Sequence, residues 1–135
     1  MNEKIIDFLS EHHVLSLNTC VENQSWSSSC FYAFLQSTDT FVFASDTDTR
    51  HMQNIAKNPQ VSGVIALETK QIGLIRGLQF EGVVQKASKS GEKAYFKAYP
   101  FARIMLPKLW EIEITYAKLT DNRLGFGKKL EYKRA

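Results

Sequence analysis

The segment LWEIEITYAKL, Leu109–Leu119, puts Trp110, Ile112, Ile114 and Tyr116 on one side of an extended chain and Glu111, Glu113 and Thr115 on the other. Side chains alternate between the two faces of a strand, so this spacing specifies a half-buried antiparallel strand. Such a strand needs hydrogen-bonded neighbours and a layer over its apolar face, and the rest of the chain supplies them. VLSLNTCV alternates Leu15, Leu17, Thr19 and Val21 on one face, ENQ marks a turn, and WSSSCFYAFLQ returns to complete a hairpin. TFVFAS reads as a third strand. VSGVIAL and IGLIRGLQFEGVVQKA flank the turn-like ETKQ as a second hairpin, whose glycines Gly73, Gly77 and Gly82 mark bulges, barrel corners or close backbone approach.

Helical spacing is confined to three places. Ile5, Phe8 and Leu9 define an opening helix that ends near His12 and His13. A short helix runs from about Thr49 to Lys57 and stops at Asn58-Pro59. SKSGEKAYFKAY forms a third, with Ser88 or Ser90 as its cap, and Pro100 and Pro107 bracket a short turn or helix. Strands in this number with helices only at the connections describe a mainly β chain with peripheral helices (α+β): an antiparallel barrel of six strands.

Length and composition agree with one domain over residues 1–135, since 135 residues bury a core without metal or disulfide support. No apolar run approaches the roughly 20 residues of a membrane span, and MNEKIIDFLSEHH reads as an amphipathic helix and not a signal peptide, so a cytoplasmic location is expected. Cys20 and Cys30 have no metal or redox spacing and read as buried free thiols. The net charge of +3 owes much to Lys128, Lys129, Lys133 and Arg134, read as a solvated tail. Its rival, contact with nucleic-acid phosphates, would need interleaved aromatics, and only Tyr132 is there. Nucleic acid and membrane are not expected partners.

One stretch carries more polar chemistry than a helix start needs. In SDTDTRHMQNIAKNP, the hydroxyls of Ser45, Thr47 and Thr49 precede a helix whose first N–H groups lack internal acceptors, and Arg50 adds a fork of donors: a phosphate site by composition. The competing reading is a helix capped by Asp48 or Thr49, with Arg50 and His51 merely solvated. Asp46 and Asp48 count against an anion unless they turn outward. Elsewhere catalytic vocabulary is thin. The three histidines make no metal motif, Ser27–Ser29 are in no nucleophile elbow, and GFG at Gly125–Gly127 is a turn and not a dinucleotide loop. Redox chemistry would have to come from a cofactor.

The order of RHMQNIAKNP after a strand, GLQFEG in a long strand and DNRLG near the end resembles the flavin-binding split barrels related to pyridoxamine 5'-phosphate oxidase, over nearly the whole chain. More narrowly it is similar to the bacterial YhbP-type proteins, a group without an assigned reaction. The resemblance implies a six-stranded split β-barrel that dimerises and binds FMN in two grooves between subunits. It puts Arg50 where the family has its phosphate-binding arginine, and His51 where the oxidases have a lysine. Ser27, Ser28 and Ser29 stand where the oxidases have a further arginine, and Gln79 takes a cofactor-facing position. Arg123 matches a substrate-binding arginine, but Gly125 replaces the oxidases' histidine. The chain is therefore read as an FMN-binding protein, a flavin-dependent oxidoreductase acting on a small substrate or reduced nicotinamide, and not a pyridoxamine phosphate oxidase. Two alternatives stay open: a non-catalytic flavin- or haem-binding module on the same fold, and an interaction protein without cofactor. Trp110 and Tyr116 are expected on the apolar face of their strand as core or dimer contacts.

Overall fold

The structure is a computed structural model describing residues 1–126 and 128–135; Gly127, the last residue of the expected GFG turn, lies outside the described residues. In chain order the elements are α1 (Glu3–Glu11), β1 (Val14–Val21), β2 (Gln24–Leu35), β3 (Thr40–Ala44), α2 (Arg50–Lys57), β4 (Gln60–Ala66), β5 (Arg76–Lys86), α3 (Lys89–Ala98), β6 (Leu109–Asp121) and β7 (Lys129–Lys133). The strands join in the order β3-β2-β1-β4-β5-β6-β7, and β3 also pairs with β6, so the sheet closes on itself. The first half of β6, Leu109–Glu113, pairs with β3; the second half, Tyr116–Thr120, pairs with β7. This forked partnership is where the barrel splits.

The strand count is seven and not six. Once β3 has left β6, the later half of β6 has an open edge, and the tail fills it. Leu130 and Tyr132 pack against the core while Lys129, Glu131 and Lys133 face outward. Arg134 then donates to the carbonyls of Ile114 (2.8 Å), Thr38 (2.7 Å) and Asp39 (2.9 Å), fastening the chain end to the β2–β3 turn. The basic run is a strand with an anchor, not a solvated end.

The alternation that specified β6 also breaks in register. Gly82 pairs with Ile114 and Glu81 with Tyr116, leaving Thr115 as an extra residue. A one-residue bulge moves every later side chain to the opposite face. Ile112 and Ile114 are buried as expected, but Ala117, Leu119 and Asp121 take over the inner face, and Tyr116 turns half outward. Gly82 is required at this point: a Cβ there would lie 2.5 Å from Ile112 Cγ2 and 2.6 Å from the Glu113 carbonyl oxygen. Gly73, in contrast, sits in a 3₁₀ turn (Ile72–Leu74) before β5 and meets nothing.

Inside the barrel, Phe41 packs edge-on against Phe80 and Tyr32, with ring centroids about 5 Å apart. Ile5, Phe8 and Leu9 of α1 and Met52 and Ile55 of α2 join this core. Helix α3 covers the other face of β2 and β3 through Tyr95 against Ala33 and Val42. Helix α2 is tied to the β1–β2 hairpin by Asn54 Nδ2 on Thr19 Oγ1 and Asn58 Nδ2 on the Cys20 carbonyl, each 2.9 Å. Cys30 is buried as expected, but Cys20 is exposed, on the outer face of β1.

Candidate functional site

Thr49 caps α2, its Oγ1 accepting from the Met52 amide at 3.3 Å, and Gln53 N–H returns to the Thr49 carbonyl. The amides of Arg50 and His51 fall in the first turn and have no intrahelical acceptor. The Arg50 guanidinium carbon lies 4.1 Å from the centroid of the Trp26 ring. Stacking uses the face of the guanidinium and leaves its N–H edge open. Among the described residues the salt bridges join other pairs, so no carboxylate neutralises Arg50.

His51 Nε2 lies 2.7 Å from Ser45 Oγ, and Ser45 Oγ lies 3.4 Å from Thr49 Oγ1. Burial pushes the His51 pKa below its ordinary value. The ring is therefore more firmly neutral near pH 7 than a solvated histidine, and supplies a hydrogen bond to the loop in place of the charge a lysine would carry. The loop is held on its other side by Trp110 Nε1 donating to the Ser45 carbonyl (2.9 Å) and Ser45 N–H donating to the Lys108 carbonyl (3.0 Å). Lys108 Nζ reaches Thr47 Oγ1 at 3.4 Å. Ser45, Thr47, Thr49, Arg50 and His51 thus form one cluster. Trp26 and Lys108 belong to it as well and were not singled out from sequence; Trp26 could have been, because it heads WSSSC on the face of β2 that α2 covers.

The serine triplet divides. Ser27 and Ser29 are exposed on the outer face of β2, with Ser27 Oγ donating to Asn18 Oδ1 at 2.8 Å. Ser28 turns the other way, beside Cys30, because strand side chains alternate. Its Oγ is shielded from water and lacks a hydrogen-bond partner of good geometry, yet it sits near enough to the Cys30 thiol to lower the latter's pKa slightly against burial, which raises it to about 11. Proximity without alignment accounts for both facts. Cys30 is an inert thiol.

Gln79 is exposed on the same outer face as Ser29, in the cross-strand row Ser29, Ser16, Val64, Gln79. Three strand spacings, roughly 14 Å, separate the ends of that row. Arg123 is elsewhere. It grips Asp121 through Nε on Oδ1 (3.1 Å) and Nη2 on Oδ2 (2.9 Å), near the Arg76–Glu11 pair under α1. The Arg123 hydrogen bond holds the buried Asp121 carboxyl below the usual carboxylate range. Within one protomer Arg123 does not join the α2 cluster. Among the described residues no group of His, Cys, Asp and Glu is placed to hold a metal ion, and no helix is long and apolar enough to cross a membrane.

The barrel is similar to that of the haem-binding protein of Mycobacterium smegmatis (TM-score 0.77, 16% identity, 94% of this chain and 56% of that one, so this chain spans just over half its length). It is also similar to a FAD-binding protein of Mesorhizobium loti (TM-score 0.71, 12% identity, 87% and 90% coverage). At these identities the likeness is one of fold. In sequence the chain is 35% identical over 131 residues to UPF0306 proteins of Yersinia pestis and Yersinia pseudotuberculosis, covering 94% of this chain and 89% of theirs. The family described as pyridoxamine 5'-phosphate oxidase matches residues 1–122, and that span holds the barrel through β6 and the whole α2 cluster. Fold, relatives and matched span agree: this chain belongs to the pyridoxamine 5'-phosphate oxidase family, beside its UPF0306 proteins.

Proposed function

We propose that the chain binds flavin mononucleotide as a cytoplasmic homodimer, with the phosphate at the start of α2 and the ring along the outer face of the sheet. The observation that carries this reading is Arg50, stacked on Trp26, free of carboxylates and adjacent to two amides without acceptors. These donors and the hydroxyls of Ser45 and Thr47 suit a phosphate; Asp46 and Asp48 in the same loop and a neutral His51 make the site weaker than an arginine–lysine pair would be. Ser27 and Ser29 on the WSSSCF strand, or Gln79 on the GLQF strand roughly 14 Å away, offer hydrogen bonds to the polar edge of a ring on this face. A bound flavin would supply hydride transfer; the residues named here bind and orient it.

The same outer face exposes Phe31 beside Val14, with Val64 on the next strand, apolar side chains that a second copy would cover. Oxidation of pyridoxamine phosphate is not part of the proposal, because Gly125 stands where the oxidases have histidine and Arg123 is committed to Asp121. A carrier role without turnover is the second reading. It is favoured by fold neighbours described as haem-binding and haem storage proteins.

The test is retention of FMN against riboflavin by absorption after desalting. FMN should bind about tenfold tighter or more, the contribution of charge-assisted phosphate contacts; equal retention would remove the phosphate assignment, and retention of neither would leave an interaction protein. Bleaching of bound flavin by reduced nicotinamide separates an oxidoreductase from a carrier. Light scattering should report twice the 15.4 kDa subunit mass.

A further inference from the structure

A hollow of about 390 Å³ lies between α2 and β6, walled by Met52, Ile55, Ala56 and Trp110. A second hollow of about 470 Å³ adjoins it, sharing Thr47 and Trp110 and bounded by Lys86, Lys108 and Glu92. Both volumes fall within the range of about 300–1000 Å³ typical of small-molecule sites. Trp110 divides them. Because its Nε1 is committed to the Ser45 carbonyl, the indole offers only carbon surface to either side. The first hollow is chiefly apolar, with Lys57 and Gln53 at its rim; the second carries two lysines against one glutamate. Among the described residues the Lys108 ammonium hydrogen-bonds Thr47 Oγ1 alone, at 3.4 Å, so most of its hydrogen-bonding capacity is unspent.

An apolar trough that opens onto a cationic one has the polarity of a ligand with an apolar body and one anionic end. We propose that this groove is a second binding site, for an amphipathic carboxylate of small-molecule size: the alkyl or aryl body lies along Met52, Ile55 and Trp110, and the carboxylate meets Lys108, with Lys86 nearby. The trough alone would take a neutral hydrocarbon equally well; the lysines give it a preference for the anion. The groove shares Thr47 and Lys108 with the cluster at the start of α2 but is lined by neither Arg50 nor Trp26, so loss of flavin binding in Arg50→Ala would leave it intact.

The experiment uses octanoate and 1-octanol as probes, without FMN, followed by the two indole N–H resonances of ¹⁵N-labelled protein. Trp110 should shift on titration with octanoate and Trp26 should not. Lys108→Ala should weaken octanoate about tenfold while changing octanol by less than about twofold, and Lys108→Arg should restore octanoate binding. Ala56→Phe, a filling substitution at an exposed position, should abolish both. The proposal is overturned if millimolar octanoate leaves Trp110 unmoved, if Lys108→Ala weakens both probes alike, or if Ala56→Phe leaves octanoate affinity unchanged. The unshifted Trp26 resonance reports that each variant is folded.

Discussion

Helices α2 and α3 begin in the same way and end up with opposite electrostatics. Each has a hydroxyl cap, Thr49 accepting from Met52 N–H and Ser88 accepting from Gly91 N–H at 3.0 Å. At α3 the chain supplies its own anion. Glu111, only 3% exposed, accepts from the amide and the hydroxyl of Ser88, both at 2.6 Å, and a Cβ on Gly91 would overlap its carboxylate. At α2, among the described residues, no carboxylate bonds the helix start, and the Arg50 guanidinium stacks on Trp26 nearby. A positive helix end satisfied from within is a structural joint; one left open is available to a ligand. Comparison of the two starts is therefore the strongest physical support for a phosphate at α2, and it can be broken at either end.

The largest effect should come from the closed end. Glu111→Ala strips two charge-assisted hydrogen bonds from a buried helix start and should cost about 3 kcal/mol in a urea titration. Gly91→Ala alone should also destabilise, through its clash with the carboxylate. In the Glu111→Ala background the sign should reverse, because alanine is then only the better helix former, by about 0.5–1 kcal/mol. Additive effects would mean that the carboxylate does not sit where it is described.

Arg50→Ala comes next. It should leave folding stability within about 0.5 kcal/mol but weaken FMN by about 1.5–3 kcal/mol, with riboflavin scarcely affected. Equal losses for the two flavins would transfer the effect to Trp26 stacking and away from phosphate. Thr49→Ala should remove about 1 kcal/mol of stability as a lost cap, measured by the same denaturation; no change would show that water caps α2 equally well.

The smallest effect belongs to His51. Its pKa is lowered in the fold by burial, so the unfolded chain takes up the proton first. The stability tied to a neutral His51 is fully present above the unfolded value near 6.5 and is lost as pH falls below it. His51→Gln should flatten the stability profile over pH 5–7. Protonation of this ring, which would assist a bound phosphate, is pushed below the ordinary histidine range. Parallel profiles for the two proteins would make His51 electrostatically silent.

Much of the fold was legible because its signals are local. Alternation marked the strands, Ile5, Phe8 and Leu9 marked α1, and the sequence offered Asp48 or Thr49 and Ser88 or Ser90 as caps, of which the fold uses Thr49 and Ser88. The cluster of Ser45, Thr47, Thr49, Arg50 and His51 was legible for the same reason, all within one turn and one loop. Ser27–Ser29 could not be read as a unit, since a strand splits any consecutive triplet between its faces. Arg123 was placed by its resemblance to a substrate residue, and nothing local disclosed that Asp121, two residues away, holds it with both oxygens.

By itself the sequence determined which segments extend, which coil and where each helix starts, because those choices depend on periodicity and on side chains a few residues apart. Tertiary structure alone decided what depends on which strands become neighbours. Pairing with β5 placed the bulge at Thr115 and turned Tyr116 out of the core. The free half of β6 recruited the basic tail as β7. The path of β6 past the start of α3 brought Glu111 to Ser88, 23 residues earlier in the chain, while among the described residues no carboxylate was brought to Arg50. A helix start leaves the same unsatisfied amides wherever it occurs; whether the chain answers them or leaves them to a ligand is settled by distant residues that only the closed barrel brings into reach.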